Sequence, residues 1–126
     1  GKKIQSVSGG AHWGGGLWIS TKDHALVGQL MLKKGRWNDQ EIIPEKWIEE
    51  CTTPCSIAPF YGYLWWLNDP RNSLLSGTPK SAYCAMGVGT QIIYVDPEND
   101  LVVVARWIEQ DKVSEFLRMV LASIEK

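Results

Sequence analysis

Few residues in this chain have the types and spacing for chemistry. Its thiols are Cys51, Cys55 and Cys84, and its imidazoles are His12 and His24. Cys51 and Cys55 form a C-x3-C pair, but neither histidine stands in zinc-finger register to them. No metal site is therefore read from the sequence. His12, beside Trp13 and ahead of three glycines, reads as a loop histidine. His24 falls in the first turn of an expected helix and reads as exposed. Arg106 and Trp107, near the end of an expected strand, read as a surface charge and a packing residue. The remaining stretch is Ala85-Met86-Gly87-Val88-Gly89-Thr90, two glycines set between strand-forming runs. Glycine in a strand pattern marks a bend, or a place where another backbone or a ligand comes close. The bland reading is a hairpin bend, and the sharper one is the lip of an active site.

The flanking residues predict the elements that hold this stretch. Residues 1–16 are rich in Gly and Ser and read as a flexible lead. Ser20 followed by Asp23 is a capping pair, and Gly35 is a natural helix stop. Between them Ala25, Leu26, Val27, Leu30 and Met31 recur at helical spacing, which predicts a helix over about 21–34. Asn38-Asp39 is a turn. Pro44 opens a second, short helix with Trp47, Ile48 and Cys51 turned inward, ending before Pro54. The aromatic run "YGYLWWLN", 61–68, predicts a strand, and 68–80 reads as a loop. Three strands follow, at about 81–86, 90–96 and 101–108, the last nearly continuous in apolar residues as if buried on both faces. Val113, Phe116, Leu117, Val120, Leu121 and Ile124 then mark a C-terminal amphipathic helix. The class is α+β: an antiparallel meander of three to four strands packed with helices. It divides into the lead at 1–16, a helical part at 17–54 and the sheet with its final helix at 61–126.

The 126 residues, 44% hydrophobic and 21% charged with a formal net charge of -1, suit one domain with its own core. That balance gives no basic surface for nucleic acid or an anionic membrane. No apolar run approaches the roughly 20 residues of a membrane-spanning helix. Free thiols and no visible signal peptide fit a reducing, cytoplasmic compartment. Seven tryptophans imply a substantial core or a surface that meets something else.

Four segments in order, "GGGLWISTKDHALVGQLMLKKGRWN", "IIPEKWIEECTTP", "YGYLWWLN" and "GVGTQIIYVDPENDLVVV", resemble the C-terminal part of the serine β-lactamase and penicillin-binding-protein-like hydrolases. The branch they are most similar to holds class C β-lactamase-like esterases and 6-aminohexanoate-dimer hydrolases. The resemblance covers residues 9–124. It implies a partial β-lactamase-type fold and acyl transfer from an ester, amide or lactam to a serine and then to water, with no cofactor. In that family a Ser-x-x-Lys motif supplies the nucleophile, a second motif a Tyr or Ser, and a third, Lys-Thr-Gly or a variant, lines the pocket. The one Ser-x-x-Lys here, Ser123 to Lys126, lies at the end of the last helix and reads as a solvated helix end. No catalytic residue is assigned within the chain, and the first two motifs are expected upstream of Gly1. The third falls on Ala85-Met86-Gly87, with Ala85 where a lysine or histidine usually stands. Losing that cation disfavours β-lactams that carry a carboxylate.

The resemblance thus implies one wall of an acyl pocket at 85–90, completed by an N-terminal segment and inactive alone. The competing reading is a stand-alone binding or interaction module derived from the same family. In the resembled fold the strand at 101–108 is interior. With its neighbour absent from this chain, a homo-oligomer is expected, through that strand or the C-terminal helix.

Overall fold

The computed structural model describes residues 6–7, 16–17 and 19–124. The core is a four-stranded antiparallel sheet in the order β5-β6-β7-β8: β5 Trp66–Leu67, β6 Tyr83–Gly87, β7 Gln91–Asp96 and β8 Leu101–Ala105. Its faces follow from the period of two along a strand. Ile93, Val95, Tyr83 and Ala85 join a cluster with Met31, Ile48 and Cys51 on one side. Ile92, Tyr94, Cys84 and Met86 join Leu74, Leu75, Val113 and Leu117 on the other. The first side is covered by α1 (Thr21–Leu32) and α2 (Glu45–Cys51), the second by α3 (Val113–Ala122) and the 3-10 turn Ser73–Leu75. This is the α+β meander between helices that the sequence predicts. Two small hairpins precede α2: β1 (Ser6–Val7) with β2 (Gly16–Leu17), and β3 (Arg36–Trp37) with β4 (Gln40–Glu41). The first lies in the region read as a flexible lead. The second turns on Asn38 and Asp39, both at positive φ, as a two-residue hairpin of the mirror-image type I kind requires.

Local chemistry sets the ends of α1. The Ser20 hydroxyl accepts the Asp23 N–H at 3.1 Å and donates to the Asp23 carboxylate at 2.8 Å. At the other end the Gly35 N–H returns to the Leu30 carbonyl at 2.8 Å, with Gly35 at φ 81°.

The buried face of α1 differs from the expected one. Gly28 and Met31 are buried, whereas Leu26 and Val27 are 46% and 41% exposed. Gly28 decides the face. A Cβ there would lie 2.6 Å from Val102 Cγ1 and 2.8 Å from Ile93 Cγ2, so its lack of a side chain lets the helix lie close on β7 and β8. Trp47, expected inward, is half exposed and packs against the Tyr63 ring at 5.6 Å. The strand expected at 61–68 is only Trp66–Leu67. The Tyr63 N–H instead bonds the Cys51 carbonyl and Leu64 takes φ 65°, which pins this stretch to the end of α2. The strand buried on both faces is β7. All five residues of β8 are half-buried, because no strand among the described residues covers its far edge.

Cys84 and Tyr83 sit at the middle of the sheet. Burial pushes both the Cys84 thiol and the Tyr83 phenol up to about 12. Their ordinary values are 9.0 and 10.0, so above pH 9 the unfolded chain releases protons that the folded chain keeps. Stability is therefore full below about pH 9 and falls as pH rises toward 12. The slope is about 1.4 kcal/mol per pH unit for each ionised group. Urea midpoints between pH 7 and 11 test this. Burial also raises the Cys51 thiol, so in Cys84→Val the decline should still begin near pH 9 but be shallower, and a slope unmoved by that change would refute the assignment.

Candidate functional site

β5 pairs with β6 only through Trp66↔Cys84 and Leu67↔Tyr83. Ala85, Met86 and Gly87 therefore have β7 on one side and, among the described residues, no strand on the other. An extended strand with one free edge offers N–H and C=O groups in the spacing that holds an extended acyl or peptide chain. The side chains of this stretch do not share a face. Ala85 packs toward α1 and α2, and Met86 toward α3. Met86 lines a cleft of about 580 Å³ with Trp66, Asn72, Ser73, Gln110 and Ser114. Trp66 is held in place there by Phe60, stacked at 6.1 Å, and by Tyr61, edge-on at 4.9 Å. The free edge thus stands beside an aromatic-walled depression.

β6 and β7 join through Val88, Gly89 and Thr90, with Gly87↔Gln91 as the last pair. The two glycines answer to different needs. Gly89 has φ 77°, and a Cβ on it would lie 2.3 Å from Trp107 Cζ3. It is glycine because the chain turns left-handed there and the Trp107 ring lies on it. Gly87 has neither constraint: a Cβ would meet nothing closer than Gln91 Cβ at 3.9 Å. The fold leaves room at Gly87 on the strand edge. Val88 is 97% exposed at the tip.

Beside the hairpin the structure gathers residues that read as unremarkable in sequence. Arg106 Nε donates to Gln91 Oε1 at 2.8 Å, and its Nη1 donates to the Ile19 carbonyl at 3.0 Å. The arginine thereby ties β7 and β8 to the entry of α1. His24 is half-buried rather than exposed, and its Nδ1 finds no partner among the described residues. Burial, and then the Arg106 charge, holds its pKa below the ordinary value, which keeps the imidazole neutral at pH 7. The signal that could have found it is Gly28: a helix that buries Gly28 turns His24, four residues earlier, toward the same sheet.

The other residues singled out in the sequence lie apart. His12 and Lys126 are outside the described residues. The Ser123 hydroxyl donates to the Val120 carbonyl at 2.7 Å on the exposed end of α3. Cys51 and Cys84 are buried, Cys55 is half-buried, and all three are free thiols. No cluster of metal-ligating side chains and no helix long and apolar enough to cross a membrane occurs among the described residues. A second cleft, about 370 Å³, lies at the far end of β6. Its Asn68 is already spent on Thr78 and Pro79, and its Lys34 on Glu45.

No family model and no curated protein matches the sequence. Solved structures do match. One is described as "Putative 6-aminohexanoate-dimer hydrolase from Bacillus anthracis", with TM-score 0.61 and 23% identity over 86% of this chain. The architecture is that of a partial β-lactamase-like fold. The chain spans 29% of the length of that solved structure. At this identity the likeness establishes the fold.

What the geometry can do chemically follows from what it brings together. It places the free edge of β6 beside a cleft whose lining includes Arg71 and Asp111 as well as Trp66 and Met86. No hydroxyl or thiol among the described residues is hydrogen-bonded to a histidine or lysine. A covalent route needs a nucleophile next to a base.

Proposed function

We propose that this chain is the C-terminal portion of a serine-dependent acyl hydrolase, acting on an ester or amide, and that it supplies one wall of the pocket without the nucleophile. The observation that carries the reading is the unpaired edge at Ala85, Met86 and Gly87, beside the Trp66 cleft, in a chain whose fold matches a minor part of a protein described as a hydrolase. The wall positions and the missing segment reacts. Val88, Gly89 and Thr90 form the rim. Ala85 offers no charge, so the reading favours neutral acyl groups over carboxylate-bearing ones.

The test is completion. The remainder of the Bacillus anthracis protein, fused upstream of Gly1, should give turnover of p-nitrophenyl acetate, whereas the 126-residue chain alone should match the buffer rate. A completed protein that is folded by circular dichroism yet silent toward esters and amides would sink the proposal.

A further inference from the structure

We infer that the cleft at the Tyr83 end of β6 binds a small neutral molecule with an apolar body and one carbonyl group, of the aryl amide kind. The inference stands independently of the acyl-hydrolase reading, because this cleft lies at the opposite end of β6 from Gly87. Its lining comes from α1, α2, β5, β6 and the loops between them, all within residues 31–97.

The Tyr83 hydroxyl is the observation that points to a ligand. Tyr83 is 6% exposed, and what remains exposed lines the cleft. Its ring is fixed edge-on to Trp65 at 5.2 Å, and its backbone pairs with Leu67 on β5. Nothing among the described residues hydrogen-bonds the hydroxyl. The oxygen is not sealed in either, since the one enclosed side-chain polar atom without a partner is His24 Nδ1. Tyr83 thus holds a fixed donor open to the cleft. Burial pushes its phenol up to about 12, so the proton stays on at neutral pH. A largely buried O–H without a partner is costly, and an acceptor brought by a ligand relieves that cost.

The other polar groups decide the class of that ligand. Asn68 gives its amide to Thr78 and Pro79, and the Thr52 hydroxyl donates to the Ile48 carbonyl at 3.0 Å. Lys34 is paired with Glu45, and Asp69 with Arg71. The charges left over are Lys80 and Glu49, opposite in sign and both exposed. They leave no net charge at the cleft to select an ion. Met31, Ile48, Leu67, Pro54 and Pro59 supply apolar walls. The volume of about 370 Å³ suits a small molecule, and one fixed donor between apolar walls orients a single acceptor.

The probe is N,N-dimethylbenzamide, which carries an acceptor and no donor. Titrated to millimolar concentration into the isotope-labelled 126-residue chain, it should shift the backbone amide signals of Ile48, Leu67 and Tyr83 saturably and leave those of Gly87 and Gly89 in place. Tyr83→Phe keeps the ring and removes only the unpartnered hydroxyl. It should fold as the parent does and bind the probe roughly fivefold more weakly. Benzoate and benzylamine, similar in size and opposite in charge, should each bind more weakly than the amide. Absence of a saturable shift means that the cleft holds water alone and overturns the proposal. Equal affinity in a folded Tyr83→Phe does the same, as does a charged probe that binds as tightly as the amide. Saturation-transfer measurements on the protein completed upstream of Gly1 should give the same affinity. Binding lost there means that another segment fills the cleft, which also overturns it. The site of the shifts and the charge series in the unaltered chain decide the matter even if Tyr83→Phe fails to fold.

Discussion

Replacing Asp96 with alanine should destabilise the chain by about 3 kcal/mol, more than a hundredfold in the folded-to-unfolded ratio. Asp96 is 0% exposed, yet it carries a carboxylate. The cost of burying it is offset by four hydrogen bonds. Oδ1 accepts the Glu98 N–H at 3.0 Å and the Asn99 N–H at 3.2 Å, and Oδ2 accepts Asn99 Nδ2 at 2.8 Å and the Tyr94 hydroxyl at 3.0 Å. The side chain closes the β7–β8 turn and satisfies the hydroxyl of Tyr94, which is itself 0% exposed. Burial, then the Asp96 charge, raises the Tyr94 pKa and keeps that hydroxyl a donor. Alanine would leave a buried hydroxyl and two turn amides without their acceptor. Asp96→Asn keeps one acceptor and should cost less. The double variant Asp96→Ala, Tyr94→Phe should cost less than the sum of the single changes, because the orphaned hydroxyl is gone. Urea unfolding at pH 7 measures all of these. A loss under 1 kcal/mol for Asp96→Ala would mean that water replaces the carboxylate without penalty.

The second large effect is on chemistry. In a completed hydrolase, Gly87→Val should slow acylation on the order of 10²-fold, since a displacement of about 1 Å at an acyl group costs that much. The fold itself has room for the change, because nothing lies closer to a Cβ at Gly87 than Gln91 Cβ at 3.9 Å. Unfolding free energy should therefore stay within about 1 kcal/mol of the parent, allowing for the usual scatter of surface changes. Gly89→Val should do the opposite. It forces a β-branched residue to φ 77° and into the Trp107 ring, so stability should fall by about 2 kcal/mol. The pair separates a pocket wall from a plain bend. Equal turnover in the parent and Gly87→Val would leave only the bend.

Much of the scaffold is legible in the sequence because its signals are local. The Ser20–Asp23 cap, Pro44 and Gly35 each act within a few residues, and the elements stand where these place them. What local signals miss depends on distant contacts. Gly28 is visible in α1, but its contacts with Val102 and Ile93 are not, so the buried face is assigned to larger neighbours instead. The aromatic run at 61–65 has strand propensity, but the Cys51 carbonyl captures the Tyr63 N–H. Leu74 and Leu75, inside a turn-rich stretch read as loop, are buried under α3 by a 3-10 turn capped by Asn72. The same division holds at the candidate site. The glycine pair is visible, but the reason for Gly89 lies 18 residues away at Trp107, and the half-buried His24 depends on the packing of the helix that carries it.

The central claim is that this chain holds an acyl group and that another segment attacks it. Intact-mass spectrometry after brief exposure to p-nitrophenyl acetate and to a fluorescent penicillin tests it most directly, run on the 126-residue chain and on the completed protein. The account predicts no stable serine adduct on the chain alone from either reagent, and in the completed protein a single acyl group from p-nitrophenyl acetate on a serine upstream of Gly1, with weaker labelling by the carboxylate-bearing penicillin. A stoichiometric adduct within residues 1–126, with Ser123 the first position to map, would contradict it.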